Sequence, residues 1–304
     1  MSTPNKEFFR YRYLMGAMQQ NLLTATVRQL CIPEDIANLG KITEAWRVAS
    51  ARMAALSQEE AGLQDGISKA NPPSSIQSKL AGIEQDHLFR ESFSAMPTTF
   101  KVVEIDKLVA PQREVNLDYV DSIRKRISGK KIEDLVELCV GARTEPPELK
   151  ALQTAQNQMT FSSRSLDLRF LGGAPKPITE ADIAVTPGGQ PVETIALLVG
   201  FGAAPMNTFM FGNRIVLNNG FHRVIALRME GVTHIPIVVQ NVANAELEFP
   251  EQILGLSLVY LLQNPRPVLV KDFFDDKLTV ELRLKPRRKI VKVGWGVEES
   301  LIPD

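Results

Sequence analysis

One segment constrains the fold of this chain more than any other. Asn207 to Phe211 and Arg214 to Leu217 are two short apolar-rich strands joined by Gly212-Asn213, a favoured two-residue hairpin turn. Asn218-Asn219-Gly220 breaks the second strand. Phe221 to Glu230 then carries helical periodicity that Gly231 ends, and Thr233 to Gln240 reads as a buried strand. Strand, turn, helix, glycine and strand predict a compact α/β unit. A helix that opens behind a glycine turn presents unpaired N–H groups and the positive end of its dipole, which suits an anion. Gly220 lets the backbone approach without a Cβ, Arg223 adds a forked donor, and His222 adds a donor whose proton can move near pH 7. The same residues equally suit a plain strand-turn-helix in which His222 and Arg223 only cap and pair.

The rest of the chain surrounds this unit. Residues 1–65 are expected to be helical, with Phe8, Tyr11, Met15, Met18, Leu22 and Ala25 on one face. Pro33 suits the first turn of a short second helix, and Gly40 its C-terminal cap. A third helix from about Thr43 places Trp46, Ala49, Met53, Leu56 and Leu63 together. These stripes suit packing on the rest of the chain, or a helical hairpin that dimerises or grips a protein partner. Residues 66–98 form a boundary broken by Asn71-Pro72-Pro73 and Pro97, with a short helix near 75–90. Residues 99–242 are expected as one domain: a strand Phe100–Ile105, a turn at Leu108–Pro111, a helix Leu117–Ile127 capped by Asn116, and an insertion at about 129–192. That insertion offers a helix near Ile132–Val140, a strand near Ser165–Leu171, and loops around Gly172-Gly173 and Gly188-Gly189 that carry no dinucleotide fingerprint. Thr194–Gly200 is a strongly apolar strand. Residues 243–304 supply a helix at roughly Pro250–Leu262 and a basic β-hairpin. The fold class is α+β, a small mixed sheet with helices.

Composition excludes several functions. Lys+Arg and Asp+Glu are 35 each, so the net charge of +0 argues against a histone-like binder or an acidic tail protein. Cys31 and Cys139 stand too far apart for a zinc knuckle, and with only His87, His222 and His234 no metal site is expected. No signal peptide or membrane-length apolar run is visible, so a cytoplasmic location without membrane contact is expected.

Asn218-Asn219-Gly220-Phe221-His222-Arg223, with Ala226-Leu227, Gly231 and Ile235-Pro236-Ile237-Val238-Val239 behind it, resembles the ParB/sulfiredoxin superfamily. Upstream, Val103 to Arg113 with Leu117 to Ile127 resembles that family's opening strand, Pro-Gln-Arg-like turn and first helix. The resemblance covers about 101–128 and 193–240. It implies a ParB/sulfiredoxin-like fold with a nucleotide or phosphate-ester pocket, a nucleoside di- or triphosphate with Mg²⁺ as the ligand class, and either a nucleotide-dependent enzyme or a nucleotide-gated module. The residues it carries onto the ligand are Gly220, His222 and Arg223, with Gln112, Arg113 and Glu114 from the first turn and Asn218, Asn219 and Phe221 in the box. Glu114 and His222 are the catalytic candidates for a hydrolase, phosphotransferase or nuclease.

Departures narrow this. Phe221 stands where sulfiredoxins hold a reactive cysteine, so sulfinic acid repair is not expected. Asn219 stands where many kinase-like and nuclease-like members have an aspartate, and it can neither act as a base nor hold Mg²⁺ strongly. No helix-turn-helix reader follows the box, against a partition clamp. Two alternatives stay open. Arg283, Lys285, Arg287, Arg288, Lys289 and Lys292 put six cations in ten residues, a solvated hairpin edge or a nucleic-acid contact through Arg287, Arg288 and Lys289. Asn219 and Phe221 also fit a non-catalytic scaffold with a degenerate box.

Overall fold

A computed structural model describes residues 7–141, 147–165, 167–184, 189–244 and 257–300. In chain order its main elements are β1 (Phe9–Tyr13), α1 (Gln20–Leu30), α2 (Pro33–Ala37), α3 (Leu39–Glu59), β2 (Lys69–Ala70), α4 (Ser74–Gln85), α5 (His87–Phe93) and β3 (Thr98–Glu104). There follow β4 (Glu114–Asn116), α6 (Leu117–Ile127), α7 (Ile132–Val140), β5 (Lys150–Ala155), β6 (Gln158–Ser163), β7 (Leu168–Lys176), α8 (Glu180–Ala184) and β8 (Thr194–Phe201). The chain closes with β9 (Asn207–Phe211), β10 (Arg214–Asn219), α9 (Phe221–Met229), β11 (His234–Asn241), a short helix α10 (Leu258–Gln263), β12 (Val280–Leu284) and β13 (Lys289–Gly294). The mixture is α+β. The chain divides into two compact units, Met1–Arg143 with Ala203–Pro286, and Thr144–Gly202 with Arg287–Asp304.

The first unit is built on a five-stranded sheet in the order β10-β9-β11-β3-β2. β11 pairs antiparallel with β3 and parallel with β9, so it lies in the interior, and Ile235 to Gln240 are buried. That interior place explains the unbroken apolar run Ile235–Val239. The segment behind β3 returns along the outer edge of β10: Val109 N–H donates to the Ile215 carbonyl (3.0 Å) and Leu217 N–H to the Val109 carbonyl (2.9 Å). On its far side Ala110 N–H donates to the Val268 carbonyl (2.9 Å). The turn at Gln112-Arg113 is thereby carried alongside the strand that ends at Asn218-Asn219-Gly220.

A second sheet, β12-β1-β4, separates two cores. Tyr11 and Tyr13 face one of them with α1 and α3, through Leu23, Val27, Ile42 and Ala49. Leu14 and Val115 face the larger core with Phe221 and Phe273.

Several expectations are corrected here. The single helical face from Phe8 to Ala25 is not formed, because Phe9–Tyr13 is a strand and Met15–Ala17 a 3₁₀ turn. Aromatic and arginine residues alternate there with period two, and burial of Tyr11 and Tyr13 on one face favours the strand. Gly40 lies inside α3 and caps nothing; the break before α3 falls at Asn38. The helix near 75–90 is two helices, separated where the Asp86 carboxylate accepts from the Phe89 N–H (3.0 Å). The basic C-terminal hairpin does not exist. β12 pairs with β1 in the first unit, and β13 pairs with β6 in the second. β12 pairs with β1 over five residues and β13 with β6 over six.

The second unit holds the three-stranded sheet β13-β6-β5 and the two-stranded ribbon β7-β8. Leu168 is its one buried apolar side chain among the described residues. The helix expected at 250–262 is described only from Leu258, and Gly188 also lies outside the described residues.

Candidate functional site

The turn between β10 and α9 is formed as its sequence requires. Gly220 has φ +99°, and a Cβ there would lie 2.4 Å from Met206 Cγ. Both backbone and packing therefore demand glycine, and the group that comes close to it is the Met206 side chain. Asn219 fastens the turn: its Oδ1 accepts from the Gly220 N–H (2.8 Å) and its amide donates to the Ala203 carbonyl. Asn218 Nδ2 donates to Asn207 Oδ1 (2.6 Å), while Asn218 Oδ1 is buried with no partner among the described residues. Phe221 is 4% exposed and meets the Phe273 ring edge-on at 5.0 Å. It is a core aromatic.

The two basic residues of the box do different things. Arg223 Nη1 donates to the Leu138 carbonyl (3.0 Å). That carbonyl belongs to the last turn of α7, where Glu137 accepts from Gly141 N–H (3.0 Å) and Cys139 from Met206 N–H (2.7 Å). Helix C-termini leave their last carbonyls without intrahelical partners, and a cation there is favoured by the dipole. Arg223 thus ties α9 to the end of α7. Its charge also faces Cys139, whose thiol burial pushes up to about 12 against a smaller opposing pull from Arg223. Burial likewise raises Cys31 to about 11, with Asp35 adding to it. Both thiols stay protonated near neutral pH and are not nucleophiles. His222 Nε2 accepts from the Asn116 N–H (3.2 Å), which leaves the ring proton on Nδ1, and the ring stands edge-on to Tyr119 at 5.2 Å.

The first turn approaches from β4. The Arg113 carbonyl accepts from the Leu14 N–H (2.7 Å), which extends the β1–β4 ladder by one step. The Arg113 guanidinium is half-buried, and burial pulls it below the ordinary guanidinium range. Tyr260 is the ionisable group that faces it. Its Nε is buried with no partner among the described residues. Gln112, beside it, is half-buried. Glu114 sits opposite Tyr13, and consecutive strand residues point to opposite faces. The structure brings the Asn116 N–H to His222 beside the Gly220 turn, but the same alternation sets Glu114 and the Asn116 side chain on the other face from Arg113.

The basic run is divided. Arg283 is held by Asp35, with its Nη2 2.7 Å from Oδ1 and its N–H 2.6 Å from Oδ2. Arg287, Arg288 and Lys289 lie in the second unit, where Arg288 and Lys289 are exposed at the start of β13. Among the described residues no group of three or more His, Cys, Asp or Glu side chains is placed to hold a metal, and no helix is long and apolar enough to cross a membrane.

Sequence reasoning passed over Arg12. On β1 it faces the larger core, donates from Nη1 to the Phe273 carbonyl (3.1 Å), and pairs through Nη2 with Glu281 (2.6 Å). The alternation Phe9-Arg10-Tyr11-Arg12-Tyr13 was the available signal. A search with this chain finds no matching family model, no matching curated protein and no matching solved structure.

Proposed function

We propose that the protein binds a nucleotide or another phosphate ester at the turn between β10 and α9, as a ParB/sulfiredoxin-like binding module. Arg113 carries the reading. A guanidinium does not lose its proton in a protein, so one that is half-buried, faces a tyrosine and keeps an unpartnered Nε is best compensated by an anion. Its chain follows the Val109 segment that runs along β10 toward the glycine turn, where the first N–H groups of α9 would add positive potential. Gln112 and His222 supply further polar groups, and a di- or triphosphate would bring Mg²⁺ with it. Glu114 points away from Arg113, which favours binding over turnover; His222 remains the group nearest the turn that can move a proton. Calorimetric titration with ATP, ADP, CTP and GTP, with and without Mg²⁺, tests the reading. Binding that Arg113→Gln weakens at least tenfold supports it, and no binding at millimolar nucleotide overturns it.

A second reading, the non-catalytic scaffold, has its own support. Met206 fills the space over Gly220, Phe221 is a core residue, and Arg223 closes the end of α7. All three box positions then serve packing. Absence of anion binding together with a large loss of stability on altering Gly220 would favour it.

A further inference from the structure

We propose that Arg12 joins Arg113 in a single anion subsite, so that the ligand is a di- or triphosphate group held between two guanidinium forks. The proposal rests on the phosphate-binding reading above and adds to it a residue that lies outside the segments resembling the family.

Three observations place the two arginines together. Arg12 on β1 is paired with Val115 on β4, and Leu14 N–H donates to the Arg113 carbonyl two residues away. Arg12 and Arg113 are thus diagonal neighbours across the ladder, a spacing that long side chains bridge. Their face is the inward one, since Leu14 and Val115 are both 0% exposed, while Tyr11 and Tyr13 line the opposite core. Both side chains also reach residues packed on the larger core: Arg12 donates to the Phe273 carbonyl, and Arg113 faces Tyr260.

The chemistry is uneven in a telling way. Arg12 and Arg113, on this one face, each bury an Nε that has no partner among the described residues. Arg12 has one carboxylate, Glu281, which is half exposed at 50%. Arg113 faces no carboxylate that shifts it. A single exposed carboxylate leaves two cations on one inward face undercompensated. A ligand with adjacent anionic groups can accept from both Nε atoms at once. A single phosphate can bridge two guanidiniums, but a di- or triphosphate brings more negative charge against the two cations and is expected to bind tighter.

Inorganic tripolyphosphate and inorganic phosphate, titrated calorimetrically into the full chain, separate the outcomes. The expected result is tripolyphosphate binding at least tenfold tighter than phosphate. Arg12→Lys, which keeps the charge and loses the fork, should weaken tripolyphosphate at least tenfold. Glu281→Gln removes the competing carboxylate and should tighten it severalfold. If Arg12 only serves Glu281, both substitutions lower the melting temperature together and neither moves the affinity. Wild-type binding that both variants leave unchanged overturns the two-arginine subsite and leaves the Arg113 reading standing. No binding of either anion by wild type overturns both. Should Arg12→Lys fail to fold, the sign of the Glu281→Gln effect decides alone.

Discussion

The two units of this molecule are held by different means. The first packs buried side chains from the sheets and from α3, α4, α6, α7 and α9 into two apolar cores, and welds them with charge. Arg266 is 0% exposed, binds both Asp272 oxygens (2.5 and 2.6 Å), and shares Glu60 with Lys271. The second unit is almost all strand and ribbon surface. Ile195, Leu197 and Leu198 on β8 stay about half exposed or more, although β8 is the most apolar of the described strands. Burial, not apolar content, is therefore what distinguishes the units, since stability follows the area removed from water.

The largest effect is expected at Asp272. Asp272→Ala strips the buried Arg266 of its two-point partner, leaving it Glu60 alone among the described carboxylates, and should cost about 3–5 kcal/mol by urea denaturation. A loss below about 1 kcal/mol would show the pair to be more hydrated than its burial implies. Gly220→Ala comes next, at about 2–4 kcal/mol, from backbone strain plus collision with Met206. Adding Met206→Ala should recover the packing part and leave the backbone part; a double-mutant cycle without coupling contradicts the contact. Arg223→Ala should remove about 1.5–3 kcal/mol through loss of a charge-assisted bond to the Leu138 carbonyl. A tenfold loss of anion affinity with unchanged stability would instead make Arg223 a ligand.

Acid should act on both units. Burial tends to raise Glu60, but Lys271 and Arg266 outweigh it and hold its carboxyl below the usual range. A carboxylate depressed in the folded state contributes stability that is complete above its unfolded value, near 4.3, and is lost as pH falls through the lower folded value. In the second unit, Thr179 hydroxyl and backbone bonds with Lys176 bring Asp182 down to about 2. Its contribution to α8 should fade from about pH 4 to about 2, visible in pH-dependent hydrogen exchange of residues 180–184. Exchange in α8 that does not change over this window would contradict it. The smallest effect is expected on β8: Leu197→Ser should change stability by less than about 0.5 kcal/mol, as exposed positions do. A loss above 2 kcal/mol would mean that this face is covered, and the contrast between the units would fail.

Legibility followed the same divide. The helix Leu117–Ile127 with its Asn116 cap, the hairpin at Gly212-Asn213, the Gly220 turn and the strand closing at Gln240 all stand out in sequence, because each buries a regular face or demands a special residue. The insertion was opaque for the opposite reason: β5 exposes every residue, so no burial pattern was written into it. At the candidate site, Arg113 on the segment that runs toward the Gly220 turn could be expected from the chain order of the two motifs. Its orphaned Nε, the Met206 side chain over Gly220 and the Arg223 cap on α7 could not, since each depends on residues distant in sequence.

What the sequence by itself determined are the local devices: caps, glycine turns, the apolar run of a buried strand and the alternation of a half-buried one. Each arises from neighbours within a turn or a strand length, where backbone sterics and side-chain period act directly. Only the tertiary structure decided which strand meets which. β12 left its expected partner for β1, where Leu282 and Leu284 are buried with Tyr11 and Tyr13, because strand pairing there is set by which apolar faces can be buried together across about 270 residues; β13 pairs with β6 instead. That same long-range pairing set Arg12 next to Arg113, and no local rule places an arginine of the first strand beside one a hundred residues later.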